Sequence, residues 1–450
     1  MHIPLRVPFL LALLWLLGQA FAGCATDSAA AESRPNVLHV LTDDQTIDSL
    51  RYMQNVQSDL VDEGTRFSQY RDVQPLCCPS RATFLTGQYP HNHGVLSNLE
   101  PYGWGSMDFS RTIYTSLHDA GYRTGWIGKV MNAKGNEGLE PVPGFDEWLV
   151  PIGAQESSRM FNFQLSDNGR ARHYSGEFET DVLAERAREF VADSADDPSP
   201  WMLTVSVHSP HWVRCAKSHE RCGPQPAPED LGTMPNVRFP FGPDFPKSPQ
   251  QRTATDRYWE HEVESLQSVD RMVGDLVDEL RDLGELDDTV IVFQSDNGML
   301  HGEHGIFDKD VPWDRSVRVP LVIRGPGFDA GAVRNDLTAN VDVPATILDL
   351  ADAEPPRPPD GYSLLSGHRR TELLLERLVT TNDNWSYRWR QLATAKGWTY
   401  WRNLDSGRRF LFDLRRDPHQ VHNLAGSKPG LVRTLDRRMQ RVRSCADPCP

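Results

Sequence analysis

The first strand-length regularity in the chain is the run Asn36-Val-Leu-His-Val-Leu41, which ends on Thr42-Asp43-Asp44. Unbroken apolarity over so few residues suits a strand buried on both faces, as in parallel α/β sheets; a half-exposed strand alternates instead. The pattern returns at Thr289-Val-Ile-Val-Phe293, closed by Ser295-Asp296-Asn297-Gly298, and at Pro320-Leu-Val-Ile323, stopped by Gly325-Pro326-Gly327. Leu266, Val269, Val273, Leu276, Leu280 and Leu283 follow helical spacing, with Gly284 placed to cap, and Pro344 to Leu350 predicts a further helix. Strand and helix alternate, so the main body is predicted to be α/β with a large, mostly parallel sheet sandwiched by helices.

Pro355-Pro-Arg-Pro-Pro-Asp-Gly361 reads as a linker or domain edge. Beyond it, Gln391 to Ala395, Trp398 to Trp401 and Arg409 to Phe412 are short alternating or aromatic runs. They predict antiparallel strands, with the aromatics near Trp398 as sheet core, followed by a helix near Gly430 to Val442. The expected organisation is a catalytic domain over residues 34–360 and a smaller α+β subdomain over 361–450. Gly223 to Pro249 is dense in Pro and Gly and reads as a long ordered loop.

The N-terminus carries an export pattern. His2 and Arg6 precede an apolar stretch, Pro8 to Leu17, too short to span a bilayer comfortably. Two cleavage readings compete. Ala20-Phe21-Ala22 suits ordinary signal peptidase, and Phe21-Ala22-Gly23-Cys24 resembles a bacterial lipobox, with Phe where an aliphatic residue is usual. The second is preferred: it makes residues 1–23 the signal, Cys24 the lipidated terminus, and 24–33 a small-residue tether. Any membrane contact would run through that lipid alone, on a cell-envelope or secreted protein.

Composition narrows the function. The 450 residues are 39% apolar and 24% charged, which excludes a disordered or membrane-embedded chain. The formal charge is −15 with no long basic run, so a nucleic-acid binder is excluded as well. Only 7 of the 47 basic residues are lysine, which directs attention to each lysine. Of 7 cysteines, Cys215 with Cys222 and Cys445 with Cys449 are spaced as local staples in an exported chain. Cys77 and Cys78 are adjacent, and their geometry disfavours a bond between them.

Asp43, Asp44, Asp296 and Asn297 follow two buried strands, and open α/β sheets bind ligands at the carboxyl ends of their strands. Four hard oxygen donors suit Ca²⁺, or less well Mg²⁺, rather than zinc. Between those strands stands Cys77-Cys78-Pro79-Ser80-Arg81-Ala82-Thr83-Phe84-Leu85-Thr86-Gly87. This segment resembles the sulfatase signature, Cys-x-Pro-Ser-Arg followed after three residues by Leu-Thr-Gly.

The resemblance implies an alkaline-phosphatase-like fold and a chemistry. In that family a dedicated formylglycine-generating enzyme oxidises the first cysteine, here Cys77, to an aldehyde (3-oxoalanine) that hydrates to a gem-diol. One hydroxyl attacks sulfur and the other, once deprotonated, expels sulfate. Residue by residue, the resemblance assigns Asp43, Asp44, residue 77, Asp296 and Asn297 to the metal. Arg81 would steady the modified residue, Lys129 and Lys309 would hold the sulfate, and His211 would lie near the bridging oxygen. Gly128-Lys129-Val130-Met131-Asn132 departs from the Gly-Lys-x-His of many arylsulfatases, and methionine cannot do a histidine's proton work. Gly-Lys-x-x-Asn, Cys-Cys-Pro-Ser-Arg, Tyr89-Pro90-His91-Asn92-His93 and the ending around Phe412 to Leu424 are instead similar to the N-acetylglucosamine-6-sulfatase branch. That implies a sulfated carbohydrate substrate, with Asn132 and His304 as candidate contacts. His91 and His93 read as loop-ordering or rim residues, and His301 and His304 as pocket or surface groups. The Asn384-Trp385-Ser386 sequon has no meaning in a bacterial lipoprotein. The alternatives are a broad arylsulfatase, a phosphomonoester or phosphonate ester hydrolase of the same superfamily, and a glycan binder without catalysis.

Overall fold

The computed structural model describes residues 34–153, 160–214, 222–380 and 387–443. The signal and tether, Cys24, Cys215, Cys445, Cys449 and the Asn384 sequon lie outside them. Ten strands share one sheet, in the order Ala332–Arg334, Gly64–Phe67, Leu321–Arg324, Thr289–Ser295, Asn36–Thr42, Trp201–Ser206, Arg123–Gly128, Glu147–Pro151, Phe163–Asp167 and Arg170–Tyr174. The five from Thr289–Ser295 to Glu147–Pro151 run parallel. Leu321–Arg324 is antiparallel to its neighbour, as are Phe163–Asp167 and Arg170–Tyr174 at the other edge.

The unbroken apolar runs are explained by two cores, one on each face. Along Asn36–Thr42, Val37 and Leu41 enter one core while Leu38 and Val40 enter the other. The first core is covered by Ile113 and Leu117 of the helix Ile113–Asp119 and by Ile347 of the helix Asp342–Leu350. The second is covered by Leu183 and Phe190 of Glu179–Ala195 and by Leu266, Val269, Val273, Leu276 and Leu280 of the long helix Pro249–Leu283. That helix starts well before its apolar stripe, with Ser248 accepting from the Gln251 N–H at 3.4 Å, and it ends where Gly284 takes a left-handed φ of 77°. Residues 222–248 precede it without helix or strand, as expected.

Parallel register brings the strand ends together. Thr42 lies opposite Ser295, and Leu41 opposite Ser206, which in turn faces Gly128. The residues that follow, Asp43, Asp296 and Lys129, therefore leave the sheet at one edge.

The C-terminal strands Glu372–Arg377, Trp389–Thr394, Trp398–Asn403 and Arg409–Asp413 form a separate antiparallel sheet. Val432, Leu435, Met439 and Val442 of the helix Pro429–Arg443 pack against it; of the aromatics expected as core, Tyr400 and Trp401 are buried and Trp398 is half-buried, and Trp389 is buried with them. Its core also takes in Val73, Tyr89, Val317 and Val341 of the main body. The proline-rich edge is docked rather than loose, since Asp360 accepts from the Tyr89 N–H at 2.5 Å and from Asn92 Nδ2 at 2.8 Å. Among the described residues no helix is long and apolar enough to cross a membrane.

Gly128 ends its strand with φ at 99°, and a β-carbon there would lie 2.0 Å from the Ser206 carbonyl oxygen. Gly128→Ala is predicted to cost more than about 1 kcal/mol of stability and to displace Lys129. Denaturant unfolding checks it, and an unchanged midpoint contradicts the close approach.

Candidate active site

Cys77 opens the helix Cys77–Thr86, every residue of which is buried. Leu76 stays extended as its N-cap, Pro79 falls in the first turn where a missing N–H costs nothing, and Gly87 closes the helix at φ 70°. The helix thus presents residue 77 to the carboxyl edge of the sheet. There, ligand atoms of Asp43, Asp44, Cys77 and His211 all lie within 4.8 Å of one another. Asp44 takes a left-handed φ of 66° and is buried beside Asp43.

Three cations face the carboxylates. Arg81 Nε pairs with Asp296 Oδ2 at 2.8 Å, Nη2 lies 3.5 Å from Asp43 Oδ2, and Nη1 donates to the Lys129 carbonyl at 2.5 Å and to Ser206 Oγ at 2.7 Å. Lys129 Nζ pairs with Asp43, and Lys309 Nζ pairs with Asp44 and lies 2.9 Å from Cys77 Sγ. Asn297 Nδ2 donates to Asp44 Oδ1 at 2.6 Å, and the Asp44 N–H donates to Asp296 Oδ1 at 3.1 Å.

Burial and these neighbours set the protonation states. Burial alone would raise the Asp43 carboxyl, but Lys129, with Arg81 and Lys309, holds it well below the usual range. Burial would lower both lysines, and the carboxylates overcome it, so each ammonium is held above its ordinary value. Burial, with Asp43 adding to it, pushes the Cys77 thiol up to about 12. His211 is driven well below its usual value by burial first, with Lys309 and Lys129 adding to it. Its Nδ1–H donates to the Trp212 carbonyl at 2.7 Å, which leaves Nε2 with its lone pair 3.6 Å from Asp44 Oδ2.

The oxygen donors fit a hard divalent cation. Asp43, Asp44, Asp296 and Asn297 converge, and the buried Asp44 Oδ2 and Asn297 Oδ1 have no hydrogen-bond partner. Nine of the residues expected at the site meet there. The other two make other contacts: the Asn132 backbone N–H reaches Cys78 Sγ at 3.2 Å, and His304 stacks on Trp313 in a cavity of about 210 Å³, beside Asp244 and His419. Sequence reasoning missed Ser206, which accepts from Arg81, and Asn98, whose Oδ1 accepts from the Cys78 N–H at 2.9 Å. Neither carries a local signal. His91 and His93 lie in the short helix Pro90–His93, His91 meeting Glu376 of the C-terminal sheet and His93 meeting Thr83 and accepting from the Val95 N–H at 3.1 Å, and His301 is fully buried against Glu262.

The model of the family described as Sulfatase matches residues 35–353. The chain belongs to the sulfatase family. A second model, N-sulphoglucosamine sulphohydrolase, C-terminal, matches residues 302–444. The chain is 34% identical over 387 residues to the extracellular sulfatase SULF-1 homolog of Drosophila melanogaster, covering 80% of this chain but 33% of that protein, so it spans about a third of that relative's length. It is 30% identical over 519 residues to the N-acetylglucosamine-6-sulfatase of Homo sapiens, covering 99% of this chain and 90% of that one. A protein solved in complex with its substrate D-glucosamine-2-N,6-O-disulfate shares the fold, with a TM-score of 0.77 at 22% identity over 91% of this chain and 97% of that one.

Lys129→Met is predicted to cost on the order of 3 kcal/mol, because it removes the nearest of the three cations that face the buried Asp43 carboxylate. Asp43 is depressed in the folded state, so the stability it contributes is present above the ordinary carboxylate pKa and is lost as pH falls through the folded value. The gap between parent and variant should therefore be widest near neutrality and narrow in acid; unfolding curves across pH that keep it constant contradict the assignment.

Proposed function

We propose that the chain is an exported sulfate-ester hydrolase acting on a sulfated carbohydrate such as N-acetylglucosamine 6-sulfate, with Cys77 matured to formylglycine and Ca²⁺ as its metal. The observation that supports this most is the meeting of residue 77, at the head of the signature helix, with three cations, three carboxylates and one neutral histidine. With its thiol pushed up to about 12, unmodified Cys77 is a poor nucleophile at neutral pH. Oxidation to the hydrated aldehyde by a formylglycine-generating enzyme would supply an oxygen nucleophile together with a second hydroxyl for product release.

The chain's own groups then divide the work. Lys129 and Lys309 neutralise charge on the sulfuryl oxygens, as compact ammoniums suited to a tetrahedral anion. Arg81, fully buried, orients Asp43 and Asp296 rather than the substrate. His211, neutral with Nε2 unprotonated, can take a proton at that atom and return it to the leaving oxygen. Asp43, Asp44, Asp296, Asn297 and residue 77 would hold the cation, which polarises a sulfate oxygen when bound. Asn132 and His304 are proposed to meet the sugar. The human relative's name, at 30% identity over almost its whole length, favours a sugar over a simple aryl ester. Export through residues 1–23, with Cys24 lipidated and Cys215 with Cys222 and Cys445 with Cys449 as staples, completes the reading.

After co-expression with the maturation enzyme, the chain should hydrolyse p-nitrophenyl sulfate faster than p-nitrophenyl phosphate, and glucosamine 6-sulfates better than either. Phosphate preference would sink the reading. Cys77→Ala should lower turnover at least about 10³-fold while leaving the fold intact. Metal is a separate test. In chelator-treated protein Ca²⁺ should raise the unfolding midpoint more than Mg²⁺, by about 2.7 kcal/mol of stability at a hundredfold excess over its dissociation constant, and Asn297→Ala should abolish the rise. An equal response to both ions in the parent contradicts the calcium assignment.

A further inference from the structure

Lys309 sits on a stretch, residues 306–313, that has neither helix nor strand, yet its ammonium must point at residue 77 and Asp44. A long, flexible side chain on irregular backbone needs external support to be aimed. The support is concentrated one residue later. Asp310 has a left-handed φ of 61°, uncommon for a residue with a side chain and retained only where surroundings impose it. Its N–H donates to the carbonyl of Pro75, two residues before Cys77, at 2.9 Å. Its carboxylate Oδ2 lies 2.8 Å from Arg377 Nε, and its carbonyl accepts from Trp389 Nε1 at 3.1 Å.

Arg377 and Trp389 are not independent. They are directly opposed in the register of the antiparallel C-terminal sheet, so one cross-strand pair delivers both contacts. Both are buried, Arg377 to 2% exposure. The preceding residue of the strand is tied in as well: the Glu376 N–H donates to the Val73 carbonyl at 2.9 Å, and its carboxylate meets His91.

We propose that the C-terminal sheet is part of the oxyanion-binding machinery: Arg377, with Trp389, is a positioning residue that fixes Asp310 and thereby aims Lys309 at the substrate anion. This deepens the sulfatase reading and rests on it for the identity of the anion. The C-terminal sheet is then neither a lid nor an ornament. It braces the loop carrying one of the two ammoniums, and it braces the turn that leads into Cys77.

The test is a double-mutant cycle on anion binding, which needs no turnover. Titration calorimetry with inorganic sulfate is run on the full chain, on Arg377→Gln, on Lys309→Ala and on the double variant. A mispositioned cation typically costs on the order of 10- to 100-fold, so Arg377→Gln should weaken sulfate by that factor in the parent. In the Lys309→Ala background it should cost less than about 3-fold, because no ammonium remains to be aimed. Arg377→Lys should recover part of the loss. Equal losses in both backgrounds, which a purely structural role produces, overturn the proposal. If Arg377→Gln fails to fold, Asp310→Asn, which keeps the residue's size and removes the charge, takes its place in the cycle: a loss confined to the parent background supports the proposal, and equal losses overturn it. Parent protein that binds sulfate but does not hydrolyse sulfate esters defeats the activity reading and leaves this proposal standing; parent protein that binds neither sulfate nor phosphate overturns it.

Discussion

The molecule depends on a balance of buried charge. Arg81, Lys129 and Lys309 face Asp43, Asp44 and Asp296 in a region where five of the six are at most 3% exposed and Lys309 is 8% exposed. Ionised groups taken from water are costly unless each meets its opposite, and removing one partner leaves the other uncompensated. Here each cation meets a carboxylate, His211 is kept neutral, and the Cys77 thiol is pushed up to about 12. Such a balance is poised rather than passive. Its two ammoniums hold their protons against burial, and the cations around Asp43 hold that carboxyl well below its usual range.

What makes the balance attainable is backbone register. Asp43, Asp296 and Lys129 come from strands far apart in sequence, and the parallel pairing of their ends brings them to one edge before any side chain is considered. The signature helix then inserts residue 77 and Arg81 from one side, while the loop carrying Lys309 closes from the other. Substrate chemistry at this edge follows the general rule for open α/β sheets. The added element is the antiparallel C-terminal sheet, which shares a hydrophobic core with the main body and reaches the site through Arg377 and Trp389.

Much of this was legible in the sequence. The strands that lead to Asp43 and Asp296 are rich in Val, Ile, Leu and Phe, broken within the first only by the buried His39, and a strand buried on two faces has few other ways to look. The strands Arg123–Gly128 and Trp201–Ser206 escaped notice because Gly, Thr, Trp and Ser interrupt the apolar signal while still filling tight interior positions. Glu372-Leu-Leu-Leu-Glu-Arg377 has good helix formers throughout, and only cross-strand pairing makes it a strand. At the site, residues inside a motif were found and their supports were not. Ser206, Asn98 and Arg377 act through contacts about 20 positions away or more, which periodicity cannot register. Cys78 fills the core and accepts the Asn132 N–H, so the doubled cysteine has a packing reason.

The proposed chemistry requires residue 77 to be something other than a thiol in the working protein. The most direct measurement is the mass of the peptide containing Cys77, taken from protein with demonstrated sulfate-releasing activity. Conversion to the aldehyde predicts a loss of about 18 Da relative to the thiol form, in proportion to activity across preparations. Fully active protein that carries an unmodified, alkylatable cysteine at position 77 would contradict it.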